Sequence, residues 1–168
     1  RSRVAANTSI LFARRVVTRP SDPSAEAHDS LDEASFLAAE TAGAFALSWR
    51  SHGLCYGIPV EVDETIRAGG VVVANLSRAS SPDAIARYAR VTPVLVTVSA
   101  DVLAGRLAAR GRETAQEISA RIARNAAYAG FDTPCHVIDN SGTLEEAGDA
   151  LVRLLQTAAE HPAAARVA

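Results

Sequence analysis

Two stretches, Val71-Val-Val-Ala-Asn75 and Pro93-Val-Leu-Val-Thr-Val98, run almost continuously apolar instead of alternating apolar with polar residues. A strand of that kind has no face to offer water and is stable where both sides are covered, as in a parallel sheet. Parallel neighbours need long crossovers, and the flanking segments read as helices. Ser81-Pro82-Asp83 opens one with a cap and a proline at its first position. Residues 100–110 and 113–128 form two more, broken at Gly111, and 143–160 is a closing amphipathic helix. Upstream, residues 10–18 read as a strand and 20–30 as a polar loop. Ser30-Leu-Asp-Glu33 reads as a capping box opening a helix over 31–41. Residues 44–49 and 54–58 are short strands around His52-Gly53, a hairpin signal. Residues 59–68 read as a helix stopping at Gly69-Gly70, and 135–138 as a last strand. The tail after Pro162 is expected to be loose. The expected architecture is α/β, a parallel sheet flanked by helices, in one domain over residues 1–168 without repeat or linker. Ligands in such sheets bind beyond the carboxyl ends of the strands. That places Thr18-Arg19, Asn75 to Arg78 and Asn140-Ser141 at the expected site.

Composition narrows the class. Apolar residues make up 48% and charged residues 21%, an ordinary globular balance, and no apolar run approaches the ~18 residues of a membrane span. A pI near 6.1 argues against sequence-independent nucleic-acid binding. Cys55 and Cys135 are isolated, without metal-ligand spacing, so no protein metal site is expected. Reduced thiols in a cytoplasmic protein are the expectation. No secretory leader is visible. Oligomeric state is not legible.

All seventeen cationic side chains are arginine, and Arg106, Arg110, Arg112, Arg121 and Arg124 fall within one short segment. Arginine presents a planar fork that matches phosphate oxygens two at a time. Helical spacing puts Arg106 and Arg110 on one face and Arg121 and Arg124 on another. Two readings stand: a polyphosphate clamp, or a solvated helix ion-paired to Glu113 and Glu117.

Several segments, in order, resemble the guanylate-kinase superfamily of P-loop phosphotransferases. Val17-Thr-Arg-Pro20 resembles its substrate-phosphate motif, and Phe45 to Gly57 its phenylalanine-to-Tyr-Gly segment. Arg106-Leu-Ala-Ala-Arg110-Gly with Ile118-Ser-Ala-Arg121 resembles its lid, and His136-Val-Ile-Asp-Asn140 its final strand and adenine-side loop. The resemblance covers residues 10–155 and implies a P-loop NTPase-type sheet with lid and acceptor-binding segments. Departures point away from guanine. Leu47 stands where that family reads the base with a glutamate, Asn75-Leu-Ser77 replaces its Asp-x-Asp, and Asp22 replaces its second phosphate arginine. A site that reads a base edge needs its buried polar groups.

The replacements resemble one branch, the ribose 1,5-bisphosphate phosphokinases. The likeness is carried by Phe12 to Pro20, Glu26-Ala-His28, Phe45 to Leu54, Tyr56-Gly-Ile-Pro59, Asn75-Leu-Ser-Arg78 and Arg110-Gly-Arg-Glu113; Ala25 replaces the usual glycine. The resemblance implies transfer of the ATP γ-phosphoryl to the 1-phosphate of ribose 1,5-bisphosphate, forming phosphoribosyl diphosphate. A nucleoside monophosphate kinase and a non-catalytic binding module are the alternatives. The resemblance implies roles. Arg110 and Arg121 clamp ATP phosphates, Arg112 reaches the moving phosphoryl, and Arg106 and Asn140 belong to the nucleotide side. Arg19 and Thr18 hold an acceptor phosphate, with Arg15 a second cation and Tyr56 a donor. Asn75 and Ser77 suit ribose hydroxyls, Arg78 the second phosphate, and Glu26 and His28 sugar or metal. His52 reads as a turn residue; Trp49 and Phe45 read as core. Mg2+ is expected to ride on ATP. A chain without lysine holds no Gly-x-x-x-x-Gly-Lys-[Ser/Thr]. The corresponding first strand and loop are expected upstream of Arg1, whose first residues read like the end of a helix and a turn. Residues 20–30 and 111–128 are the expected mobile parts in the absence of nucleotide.

Overall fold

The computed structural model describes residues 9–20, 27–111, 114–127 and 134–160, excluding the side chains of 110, 121 and 124–127. The expectations for residues 1–7, for most of the 20–30 loop and for the tail after Pro162 lie outside the described residues. The backbone divides into two compact units, Arg1–Val91 with Leu154–Ala168, and Thr92–Arg153. No described helix is long and apolar enough to cross a membrane.

In the first unit the expected strand over 10–18 is two. Strand β1 (Ile10–Phe12) runs parallel to Val71–Val73, and β2 (Val16–Val17) enters another sheet. The break follows from pairing. Ala13 still donates its N–H to the Val73 carbonyl at 2.9 Å, whereas Val16 is already opposite Gly57. Neighbouring β2, β3 (Asp29–Ser30) runs parallel. Ser30 therefore belongs to a strand, and the helix cap moves two residues on. Asp32 caps α1 (Glu33–Thr41), its carboxylate accepting from the Ser35 N–H at 2.8 Å.

Strands β4 (Phe45–Ser51) and β5 (Leu54–Pro59) form the expected antiparallel hairpin, and His52 turns with φ 51° ahead of Gly53 at 74°. Positive φ at both turn residues matches a tight turn to the twist of its strands. A bulge between Phe45 and Leu47 inserts one residue into β4. It puts Phe45 against Phe36, ring centroids 4.6 Å apart, on one face of the sheet order β3-β2-β5-β4. Leu47 and Trp49 join Ala13, Ala46, Ile58, Val62 and Ala84 in a core cluster on the other. Helix α2 (Val62–Arg67) follows β5. Strand β6 (Val71–Val73) is the partner of β1, and a 3-10 turn at Arg78–Ser80 leads into α3 (Ser81–Arg87).

In the second unit β7 (Val94–Thr97) pairs parallel with β8 (His136–Asp139). Helix α4 (Ala100–Arg110) ends at Gly111 in the left-handed region, φ 62°, and α5 (Ala115–Ala127) follows; α6 (Leu144–Glu160), divided between the two units, is the last described element. Full burial of residues 93–98 is not found. Val96 is 55% and Val137 61% exposed, because among the described residues this sheet has only two strands. Capping boxes at Thr114/Glu117 and Thr143/Glu146 start α5 and α6, each glutamate accepting from the threonine N–H at 2.7 and 2.8 Å.

Candidate active site

The strand pairing brings Arg15, Thr18 and Tyr56 to one sheet. Val17 lies opposite Tyr56, so residues flanking β2 sit beside β5. The Arg15 guanidinium lies over the Tyr56 ring, 5.5 Å from its centroid. The same ring stacks on Trp49, centroids 5.3 Å apart and planes 5° from parallel. Arginine stacks on aromatic faces through the plane of its guanidinium. The neighbouring Arg14 has a different fate: its Nε pairs with Asp29 at 2.9 Å and an Nη reaches the His28 carbonyl at 3.4 Å. The two neighbouring arginines therefore engage different partners.

Thr18 accepts from the Cys55 N–H through its hydroxyl at 2.8 Å, while its own N–H donates to the Cys55 carbonyl at 3.1 Å. The hydroxyl thus helps to hold the strand pair. Arg19 follows on the exposed side of the chain, and His28 is buried at 2% exposure. His52 occupies the hairpin turn, as expected.

Asn75, Ser77 and Arg78 follow β6 at its carboxyl end. Leu76 between them packs on the core cluster that Tyr56 also touches, so both segments rim one core. The Ser77 hydroxyl accepts from the Ser80 N–H at 3.2 Å and caps the 3-10 turn at Arg78–Ser80. Leu47, in the position that the resemblance assigns to base recognition, is buried in that core.

In the second unit Arg106 grips the loop after β8. Its Nη1 donates to the Asn140 carbonyl at 2.7 Å and its Nη2 to the Gly142 carbonyl at 2.9 Å. The Asn140 N–H donates to the Thr97 carbonyl at 2.8 Å, and the Ser99 N–H to the Ser141 hydroxyl at 2.8 Å. Ser141 donates in turn to Asp139 at 2.6 Å, which holds that carboxyl below its usual range. The backbone of this loop is thus fixed on all sides, while the Asn140 Oδ1 is buried without a hydrogen-bond partner among the described residues. Arg110 ends α4 and Arg121 lies within α5, but their side chains, with Arg112 and Glu26, lie outside the described residues. No three His, Cys, Asp or Glu side chains cluster among the described residues.

One group escaped the sequence reading. Asp63 in α2 is buried at 1% exposure and accepts from Arg87 at 2.6 Å and from the Tyr88 hydroxyl at 2.7 Å. Its only sequence signal is an acid beside Val62 on the inward side of a short helix.

No family model matches the chain. Among solved structures, the guanylate kinase of Anaplasma phagocytophilum matches with a TM-score of 0.69 at 15% identity, covering 94% of this chain and 79% of that one. The fold is that of guanylate kinase, an α/β fold with helices flanking its sheets. Curated relatives are nearer in sequence. The ribose 1,5-bisphosphate phosphokinase PhnN of Chelativorans sp. (strain BNC1) is 53% identical, over 89% of this chain and 72% of that protein. That of Burkholderia pseudomallei (strain K96243) is 49% identical, over 88% and 80%. That of Laribacter hongkongensis (strain HLHK9) is 46% identical over 94% of this chain, which spans 38% of that longer protein. The chain belongs to the ribose 1,5-bisphosphate phosphokinase family.

Proposed function

We propose that this protein transfers the γ-phosphoryl of ATP to the 1-phosphate of ribose 1,5-bisphosphate, giving 5-phosphoribosyl 1-diphosphate and ADP. The carrying observation is the Arg15 guanidinium seated on Tyr56 beside a core in which Leu47 is buried. That side of the sheet offers cationic and hydroxyl groups to an anionic sugar and no carboxylate at Leu47 to read a base.

An oxygen of the 1-phosphate attacks the γ-phosphorus, and the bond to the β–γ bridging oxygen breaks as ADP leaves. The attacking oxygen is already anionic, so no general base is required. Catalysis of this kind rests on alignment and charge cancellation. Arg19 and Thr18 hold the reacting phosphate. Tyr56 donates to it, and Arg15 and Arg78 face the second phosphate. Asn75 and Ser77 take ribose hydroxyls, and Glu26 and His28 border the sugar. Arg110 and Arg121 clamp the ATP phosphates, and Arg112 reaches the phosphoryl in flight. The buried Asn140 Oδ1 suits the adenine amino group, a donor, and Arg106 keeps its loop in place. The described residues supply no carboxylate cluster for Mg2+, which in this reading travels with the nucleotide phosphates. A soluble cytoplasmic enzyme acting on small molecules, in a single domain, completes the reading.

The full-length protein with ATP and ribose 1,5-bisphosphate, followed by phosphorus NMR, is expected to form the 1-diphosphate. Absence of that product, or faster turnover of GMP, rejects the proposal.

A further inference from the structure

Asp63 is the one buried carboxylate among the described residues. Its oxygens are divided between two donors: Oδ2 takes the Arg87 Nη2 at 2.6 Å, and Oδ1 takes the Tyr88 hydroxyl at 2.7 Å. Arg87 closes the triangle, with Nε donating to the Tyr88 oxygen at 3.2 Å and the guanidinium 5.4 Å from the Tyr88 ring centroid. Arg67 adds a second cation at 3.8 Å. Withdrawing a carboxylate from water is tolerated only when paired and hydrogen-bonded, and a well-packed apolar residue usually serves stability as well. The triangle therefore calls for an explanation in geometry.

Its placement supplies one. Asp63 stands at the start of α2, directly after β5, the strand that carries Tyr56. Arg87 and Tyr88 stand at the end of α3, which grows out of the Asn75–Arg78 segment through the 3-10 turn. Val62 from α2 and Ala84 from α3 meet in the core cluster on which Tyr56, Leu76 and Tyr88 all pack. An apolar core alone lets two short helices slide. A carboxylate with two directional bonds does not.

We propose that Asp63 is a positioning residue for the acceptor. Through Arg87 and Tyr88 it fixes the distance between the Tyr56 strand and the Asn75–Arg78 segment, so that both grip one bisphosphate. This inference rests on the acceptor assignment above and adds a residue that touches no substrate.

The test compares full-length wild type with Asp63→Asn, an isosteric change that removes the charge, well below the unfolding temperature. The expected result is a rise of about tenfold in KM for ribose 1,5-bisphosphate, with KM for ATP and kcat within about twofold. A role in stability alone lowers apparent kcat in proportion to the folded fraction and leaves both KM values unchanged, and that result overturns the proposal. Tyr88→Phe removes one hydrogen bond and keeps the ring. It is expected to raise the acceptor KM about threefold, and an unchanged value overturns the proposal even where Asp63→Asn does not fold. Wild type that does not phosphorylate ribose 1,5-bisphosphate defeats the acceptor assignment and this inference together. Active wild type with unshifted variants defeats only this inference.

Discussion

Arg106 binds Asn140 through the backbone, its guanidinium donating to the Asn140 carbonyl at 2.7 Å while its second nitrogen reaches Gly142. An arginine expected on the phosphate side thus acts as a brace for the loop after β8. Charge-assisted bonds of this kind contribute roughly 1.5–3 kcal/mol. Arg106→Ala is expected to raise KM for ATP about tenfold and to leave KM for the acceptor unchanged. Arg106→Lys is expected to recover little, since an ammonium lacks the fork that spans two carbonyls. Steady-state kinetics with each substrate varied in turn decides.

Removal of Arg15 separates the seated cation from its seat. Arg15→Ala is expected to raise the acceptor KM by roughly 10- to 100-fold, the equivalent of one charge-assisted contact. Tyr56→Phe keeps the ring under the guanidinium and loses only the hydroxyl, so an increase below about fivefold is expected. Equal effects in the two variants contradict the arrangement.

Trp49 is the chain's single tryptophan and stacks on Tyr56. Titration with ribose 1,5-bisphosphate is expected to change its emission in a saturable way, and Arg15→Ala is expected to shift that titration to higher concentration. A flat titration of wild type at millimolar ligand counts against the placement of the acceptor.

Gly57 faces the Phe45 ring so closely that an added Cβ meets ring carbons at 2.6 to 2.8 Å. Phe45 is held in turn by Phe36. Gly57→Ala is expected to cost about 1–3 kcal/mol in urea unfolding. Combination with Phe45→Leu is expected to recover part of that loss.

Glu40 and Arg50 form a two-pronged pair at 2.6 and 3.1 Å, and the guanidinium also covers Phe36. The Arg50 hydrogen bonds hold the Glu40 carboxyl below its ordinary value of 4.5. A depressed acid favours the fold above its unfolded pKa, and that contribution fades as pH falls through the folded one. Melting temperature is therefore expected to drop from pH 5 towards 3 more steeply in wild type than in Glu40→Gln. Parallel curves refute the linkage.

Much of this was legible because caps are local. Gly111 and the His52-Gly53 turn each signal an element boundary within a few residues, and α4, α6 and the hairpin lie where the sequence places them. The break between β1 and β2 was not legible. Residues 13–15 suit a strand, and what separates them is a choice of partners, Val73 against Gly57, far away in sequence. Ser30 and Asp32 are both capping residues, and only the pairing of β3 decides between them. The Asp63 triangle joins residues 24 and 25 positions apart, beyond any periodic signal. Arg15, Thr18 and Tyr56 lie together across the pairing of β2 with β5. Arg106 differs, because its carbonyl partners belong to a loop that folds back from another strand.

The step from Phe12 to Val16 carries a further consequence. Each end is locked in its own ladder, Phe12 against Val73 and Val16 against Gly57. Neither ladder can absorb a frame change. Shortening the step by one amino acid would invert β2, so that Val16 and Val17 exchange sides and the guanidinium leaves its aromatic seat. The two ladders thus fix the number of residues in this step.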